Sequence, residues 1–176
     1  MKPLITTGFH HITIVSRDAQ RTLDFYRDTL GLKLVKRSVN QDSPGMPHRF
    51  WADYDGERVA PHSSFTLFGW PELRRQTRGG AGQTHHIAFR AASEEEQLAW
   101  REHLLGLGVE VTPVLDRGYF KSVYFRAPDG LLLEIATDGP GFAVDEPVEE
   151  LGTELKLPEW LEPHRGEIGA QLTPLR

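Results

Sequence analysis

Three side chains have the types and spacing for metal chemistry. His11 and His86 are each the second histidine of a His-His-Ile triplet, His10-His11-Ile12 and His85-His86-Ile87, and lie 75 residues apart. Glu134 interrupts the apolar run Leu131-Leu132-Leu133-Glu134-Ile135-Ala136. A carboxylate in such a run is costly to bury unless it is paired or bound to a cation. Each residue alone has a plainer explanation. A single strand histidine is more often a core or surface residue than a ligand, and a buried glutamate more often pairs with an arginine, here Arg126 or Arg90. Together they point to a metal. Two imidazoles and one carboxylate leave positions open on an octahedral ion, the facial arrangement of non-haem iron(II) oxygenases.

The elements that must position these residues come as a repeat. Leu30-Gly31-Leu32 matches Leu105-Gly106-Leu107, and Phe25 falls on Trp100, at the same offset of 75 as the histidines. Several matches at one offset indicate two copies of one supersecondary unit. Phe9 to Val15 reads as a strand. Ser16 or Asp18 can cap the helix that follows, and Gly31 can end it. In the second copy Ser93-Glu94-Glu95-Glu96 has the capping-box pattern, and that helix ends at Gly106. Three strands follow each helix, near 33–39, 48–54 and 63–69, then near 109–114, 119–126 and 130–137. Pro128-Asp129-Gly130 marks the last turn.

The predicted fold is therefore α+β. Two βαβββ modules pair into a curved, partly open mixed β-barrel with helices outside. Residues 1–70 form the first module, 71–83 a linker, 84–137 the second module, and 138–176 a C-terminal tail. Leu151, Leu155, Leu157, Trp160 and Leu161 should pack that tail on the body. Strand alternation puts Thr13 on the face of His11 and turns His10 away unless a bulge intervenes. The last strand of the first copy, Ser63-Ser64-Phe65-Thr66-Leu67-Phe68, carries no acid. The repeat thus predicts one three-ligand site rather than two.

Composition narrows the partners. The 176 residues include no cysteine, which removes disulfides and thiolate ligands and fits a reducing cytoplasm. A net charge of −5 argues against nucleic acid. No apolar run approaches the roughly 18 residues of a membrane span, and no signal peptide is evident.

The stretches GFHHITIVSRDAQRTLDFYRDTLGLKLVKRSVNQD, GAGQTHHIAFR and DRGYFKSVYFRAPDGLLLEIATDGPGF resemble the vicinal oxygen chelate superfamily (glyoxalase, bleomycin resistance, extradiol dioxygenase), as does LPEWLEPHRGEI. Within it the chain is most similar to ring-cleaving dioxygenases that act on hydroquinones. The resemblance implies His11, His86 and Glu134 as ligands of Fe(II), with Mn(II) or another divalent metal as the alternative. It implies supporting roles for His10, Thr13, His85, Arg117 and Tyr124. Read from chemistry alone, Arg117 either neutralises an anionic substrate or is an exposed structural cation. Tyr124 is either a proton donor or a packed ring. The substrates implied are a small hydroquinone- or catechol-like aromatic and dioxygen. Such dioxygenases typically carry four modules, so the two-module form here suggests a homodimer that supplies what is missing. The rival readings are a thiol transferase or isomerase of the same fold, and a non-catalytic drug-binding resistance protein.

Overall fold

A computed structural model describes residues 6, 8–73 and 80–173. The chain begins with β1 (His11–Ser16), α1 (Ala19–Leu30), β2 (Lys33–Asn40), β3 (Ser43–Ala52) and β4 (Ser64–Gly69). It then repeats the pattern with β5 (His86–Ala91), α2 (Glu94–Gly106), β6 (Leu115–Asp116), β7 (Phe120–Arg126) and β8 (Leu132–Pro140). The βαβββ unit is thus used twice. The two sheets have equivalent orders, β1-β4-β3-β2 and β5-β8-β7-β6. In each, the first and last strands run parallel and the other pairs antiparallel. Both sheets are mixed and four-stranded, and they do not close into one barrel.

Local chemistry explains the helix ends. The Asp18 carboxylate accepts from Arg21 N–H at 2.9 Å, and Ser16 Oγ accepts from Asp18 N–H. Gly31 ends α1 in the left-handed region at φ 67°, where a side chain would be strained. Ser93 Oγ accepts from Glu96 N–H, while the Glu96 carboxylate reaches back to Ala92 N–H. The second reach falls one residue earlier than in the standard box.

Each helix lies on one face of its own sheet. α1 buries Thr22, Tyr26, Thr29 and Leu30, and α2 buries Gln97 and Leu104. The Gln97 amide donates to Lys121 O and Ile135 O, both at 2.7 Å, tying α2 to β7 and β8. Tyr26, Trp51, Phe65 and Leu67 of the first module join Ile87, Leu104, Val123 and Leu133 of the second in one apolar core. Phe65 meets Phe89 across the junction, with ring centroids 6.1 Å apart. Thr22 Oγ1 donates to Asp129 at 3.1 Å, and His103 Nε2 lies 3.2 Å from Thr29 O.

One expectation changes. Residues 109–114 do not form a ladder strand; only Leu115 and Asp116 pair with β7. Pro113 has no N–H to give a ladder, and Thr112 instead makes isolated bonds to Tyr124. The tail folds into short 3₁₀ turns and α3 (Arg165–Gln171), with Leu157 and Leu161 half-buried. Trp160 is 74% exposed, and Leu151 and Leu155 are also exposed. Of the linker 71–83, residues 74–79 lie outside the described residues. Among the described residues no helix is long and apolar enough to cross a membrane.

Candidate metal centre

Strand alternation sorts the chemistry onto one face of each sheet. On β5 and β8 the inner residues Ile87, Leu133 and Ile135 turn toward α2. His86 and Glu134 project from the opposite face. Glu134 is only 2% exposed, yet it lies on that open face because its neighbours close around it. Its Oε1 accepts from the hydroxyls of Ser122 and Tyr124, the latter at 3.0 Å. Its Oε2 faces His86 Nε2 at 2.9 Å. The arginines that the sequence offers as partners are engaged elsewhere. Arg90 forks onto Asp138, and Arg126 donates to Gly130 O. The buried carboxylate is therefore held by two neutral hydroxyls and an imidazole.

The spacing of the pair suits a shared cation. Two donors bound side by side to one divalent ion at about 2.1 Å lie about 3 Å apart. A direct N–H···O bond gives the same spacing, and metal analysis separates the two.

The supporting residues fall as follows. His85 Nδ1 lies 2.8 Å from His86 Nδ1, and His10 Nδ1 lies 2.8 Å from His11 Nδ1. His10 and His85 precede β1 and β5, so alternation does not turn them away and no bulge is needed. Tyr124 stands edge-on to His86, and the Arg117 guanidinium sits 5.3 Å from the centre of the Tyr124 ring. Thr13 shares the face of His11 and accepts from Thr66 at 2.8 Å. His62, missed by the sequence reading, bonds Phe9 O at 2.8 Å from a backbone held at φ 61°. It buttresses the approach to His10 and His11.

The structure assembles His86 with Glu134 but does not bring His11 to them. Among the described residues, no three His, Cys, Asp or Glu side chains are arranged to hold a metal. A cleft of about 630 Å³ opens between α1 and the second sheet, with Arg21, Phe25, Tyr124 and Leu132 in its walls. It borders the pair through Tyr124 but contains none of the three proposed ligands.

The duplicated βαβββ sheets and the face they present define a known class. Residues 8–135 match the profile of the Glyoxalase/Bleomycin resistance protein/Dioxygenase superfamily, and the chain belongs to that family. Among its relatives is a Bacillus subtilis protein provisionally named ring-cleaving dioxygenase MhqE, 53% identical over 93% of this chain and 97% of the relative. That alignment runs over 295 positions against 176 residues here, so the relative carries a long stretch with no counterpart. A second B. subtilis protein, provisionally named ring-cleaving dioxygenase MhqO, is 37% identical over 95% of this chain, which spans about half (49%) of it. A chlorohydroquinone/hydroquinone 1,2-dioxygenase of Sphingobium indicum is 41% identical over 51% of this chain and 28% of its own. The fold also matches a glyoxylase/bleomycin resistance protein/dioxygenase domain from Frankia sp. EAN1pec at TM-score 0.63 and 18% identity, over 76% of this chain and 99% of that one.

Proposed function

We propose that the protein is a metal-dependent ring-cleaving dioxygenase acting on a hydroquinone- or catechol-like aromatic. The observation that carries this reading is the His86–Glu134 pair, a buried carboxylate facing an imidazole at 2.9 Å with no arginine or lysine paired to it among the described residues. The naming of relatives as ring-cleaving and hydroquinone dioxygenases supports it. In this reading His11 is the third ligand, Fe(II) is the metal, and a homodimer in the cytoplasm is the working form. His11 must reach the pair by closure of the two module faces or from a second copy.

The metal, when bound, supplies positive charge that acidifies a substrate hydroxyl. The protein's own groups prepare that site. Ser122 and Tyr124 donate to Oε1 of Glu134 and so leave Oε2 for the cation. With His86 Nδ1–H donating to His85 Nδ1, the Nε2 lone pair of His86 is left to bind metal. The His10–His11 pair repeats that arrangement. In this reading Tyr124, whose hydroxyl bonds the carboxylate at 3.0 Å, passes a proton. Arg117 over its ring offers a cation to an anionic substrate or product.

Anaerobic loading with Fe(II), followed by oxygen-uptake assays on a panel of hydroquinones and catechols, tests the proposal. Oxygen uptake that requires both iron and a hydroquinone or catechol is expected. Metal-free binding of a drug, unchanged by iron, would support the resistance-protein reading instead.

A further inference from the structure

The two modules can be compared row by row. In the second sheet Ala88, Glu134 and Tyr124 are register partners, and Ser122 pairs with Ala136 in the next row. In the first sheet Thr13, Thr66 and Phe50 occupy the matching row, and His48 pairs with Phe68 in the next. Thr66 therefore stands where the second module has Glu134, and His48 stands where it has Ser122. The hydrogen bond is kept while the chemistry changes. Ser122 bonds Glu134, and His48 Nε2 lies 3.2 Å from Thr66 Oγ1.

The bonding order fixes the tautomer of His48. Thr66 has one hydroxyl proton and donates it to Thr13 at 2.8 Å. His48 Nε2 must then be the donor to Thr66, which leaves Nδ1 as a lone-pair acceptor in the neutral ring. Phe50 and Phe68 flank the imidazole with centroids 4.0 and 4.4 Å away, and the ring is only partly buried. Partial burial, and after it the neighbouring charges of His11 and Arg49, disfavour a proton on His48. Two phenyl rings, an acceptor nitrogen and a fully buried threonine bridge thus form a built surface. The metal-site reading leaves it without a role.

We infer that His48 is a substrate-recognition residue, its Nδ1 accepting a hydrogen bond from the second, non-metal-bound hydroxyl of a dihydroxy aromatic packed against Phe50 and Phe68. This rests on the reading of His11 as a ligand, which sets the substrate on the same face.

The test compares wild type with His48→Phe, which keeps a packed ring, and His48→Asn, which keeps an acceptor oxygen. Hydroquinone is the substrate and para-methoxyphenol, which lacks the second hydroxyl proton, is the competitive inhibitor. Loss of one neutral hydrogen bond should raise KM for hydroquinone roughly five- to tenfold in His48→Phe. The inhibition constant for para-methoxyphenol and the metal content should stay at wild-type values, and His48→Asn should recover part of the loss. An unchanged ratio of the two constants in an active, metal-replete His48→Phe enzyme overturns the inference alone. So does loss of metal, or failure of both variants to fold, since His48 would then be a structural residue. A wild type that opens no ring at all strikes the dioxygenase reading itself, and this inference with it.

Discussion

Glu134 shows how much one position in a strand can announce. An acid among leucines and isoleucines signals a bound partner from sequence alone, and the structure supplies His86, Ser122 and Tyr124. Replacing Glu134 by Ala should abolish metal retention, measured as metal per chain after dialysis. Tyr124→Phe removes one bond to the carboxylate; it should keep the stoichiometry but weaken metal affinity on the order of tenfold. Ser122 and His48 were not legible beforehand. A strand serine or histidine has no distinguishing pattern, and its role depends on cross-strand register. Tyr26 makes a different prediction. Its hydroxyl is buried without a partner among the described residues, and burial together with the charge of Asp129 pushes its ionisation up. A raised folded value leaves stability intact below the ordinary tyrosine value of about 10 and removes it progressively as pH rises above that, toward the raised folded value. Tyr26→Phe should therefore be no less stable at neutral pH and lose less stability above about pH 10, read by thermal melts across pH.

At the scale of elements, α2 depends on a polar anchor as much as on its apolar side. Gln97 is 1% exposed and satisfies two strand carbonyls. Gln97→Leu would keep the volume and orphan both, costing about 2 kcal/mol or more in denaturant unfolding. Ser93→Ala should cost about 1 kcal/mol through the lost cap. Both module helices, their caps and most strands were readable, because capping residues and β-branched runs act locally. The strand expected at 109–114 was not. Its alternation of Val109 and Val111 is strand-like, but Pro113 breaks the ladder and pairing begins at Leu115. In the tail Trp160 stands in solvent while Leu157 and Leu161 are half-buried, a division that its mixture of leucines, prolines and acids does not announce.

For the whole molecule, the offset of 75 residues revealed the duplication and hence the βαβββ pairing. It could not reveal how closely the two open faces approach, because alternation orders side chains within a sheet and says nothing about the distance between sheets. That is why His86 and Glu134 lie 2.9 Å apart within one sheet while His11, on the other sheet, is not grouped with them. The junction rests on apolar contact, the Thr22–Asp129 bond and the His103–Thr29 contact. Asp129→Ala should lower stability by about 1 kcal/mol in chemical denaturation while leaving metal content per chain unchanged. The measurement closest to the central claim is turnover of hydroquinone by the iron-loaded protein under isotopically heavy dioxygen, with mass spectrometry of the product. The account predicts a ring-opened product carrying both labelled oxygen atoms, and none from the Glu134→Ala variant. An unlabelled product, a closed-ring quinone, or equal turnover by that variant would contradict it.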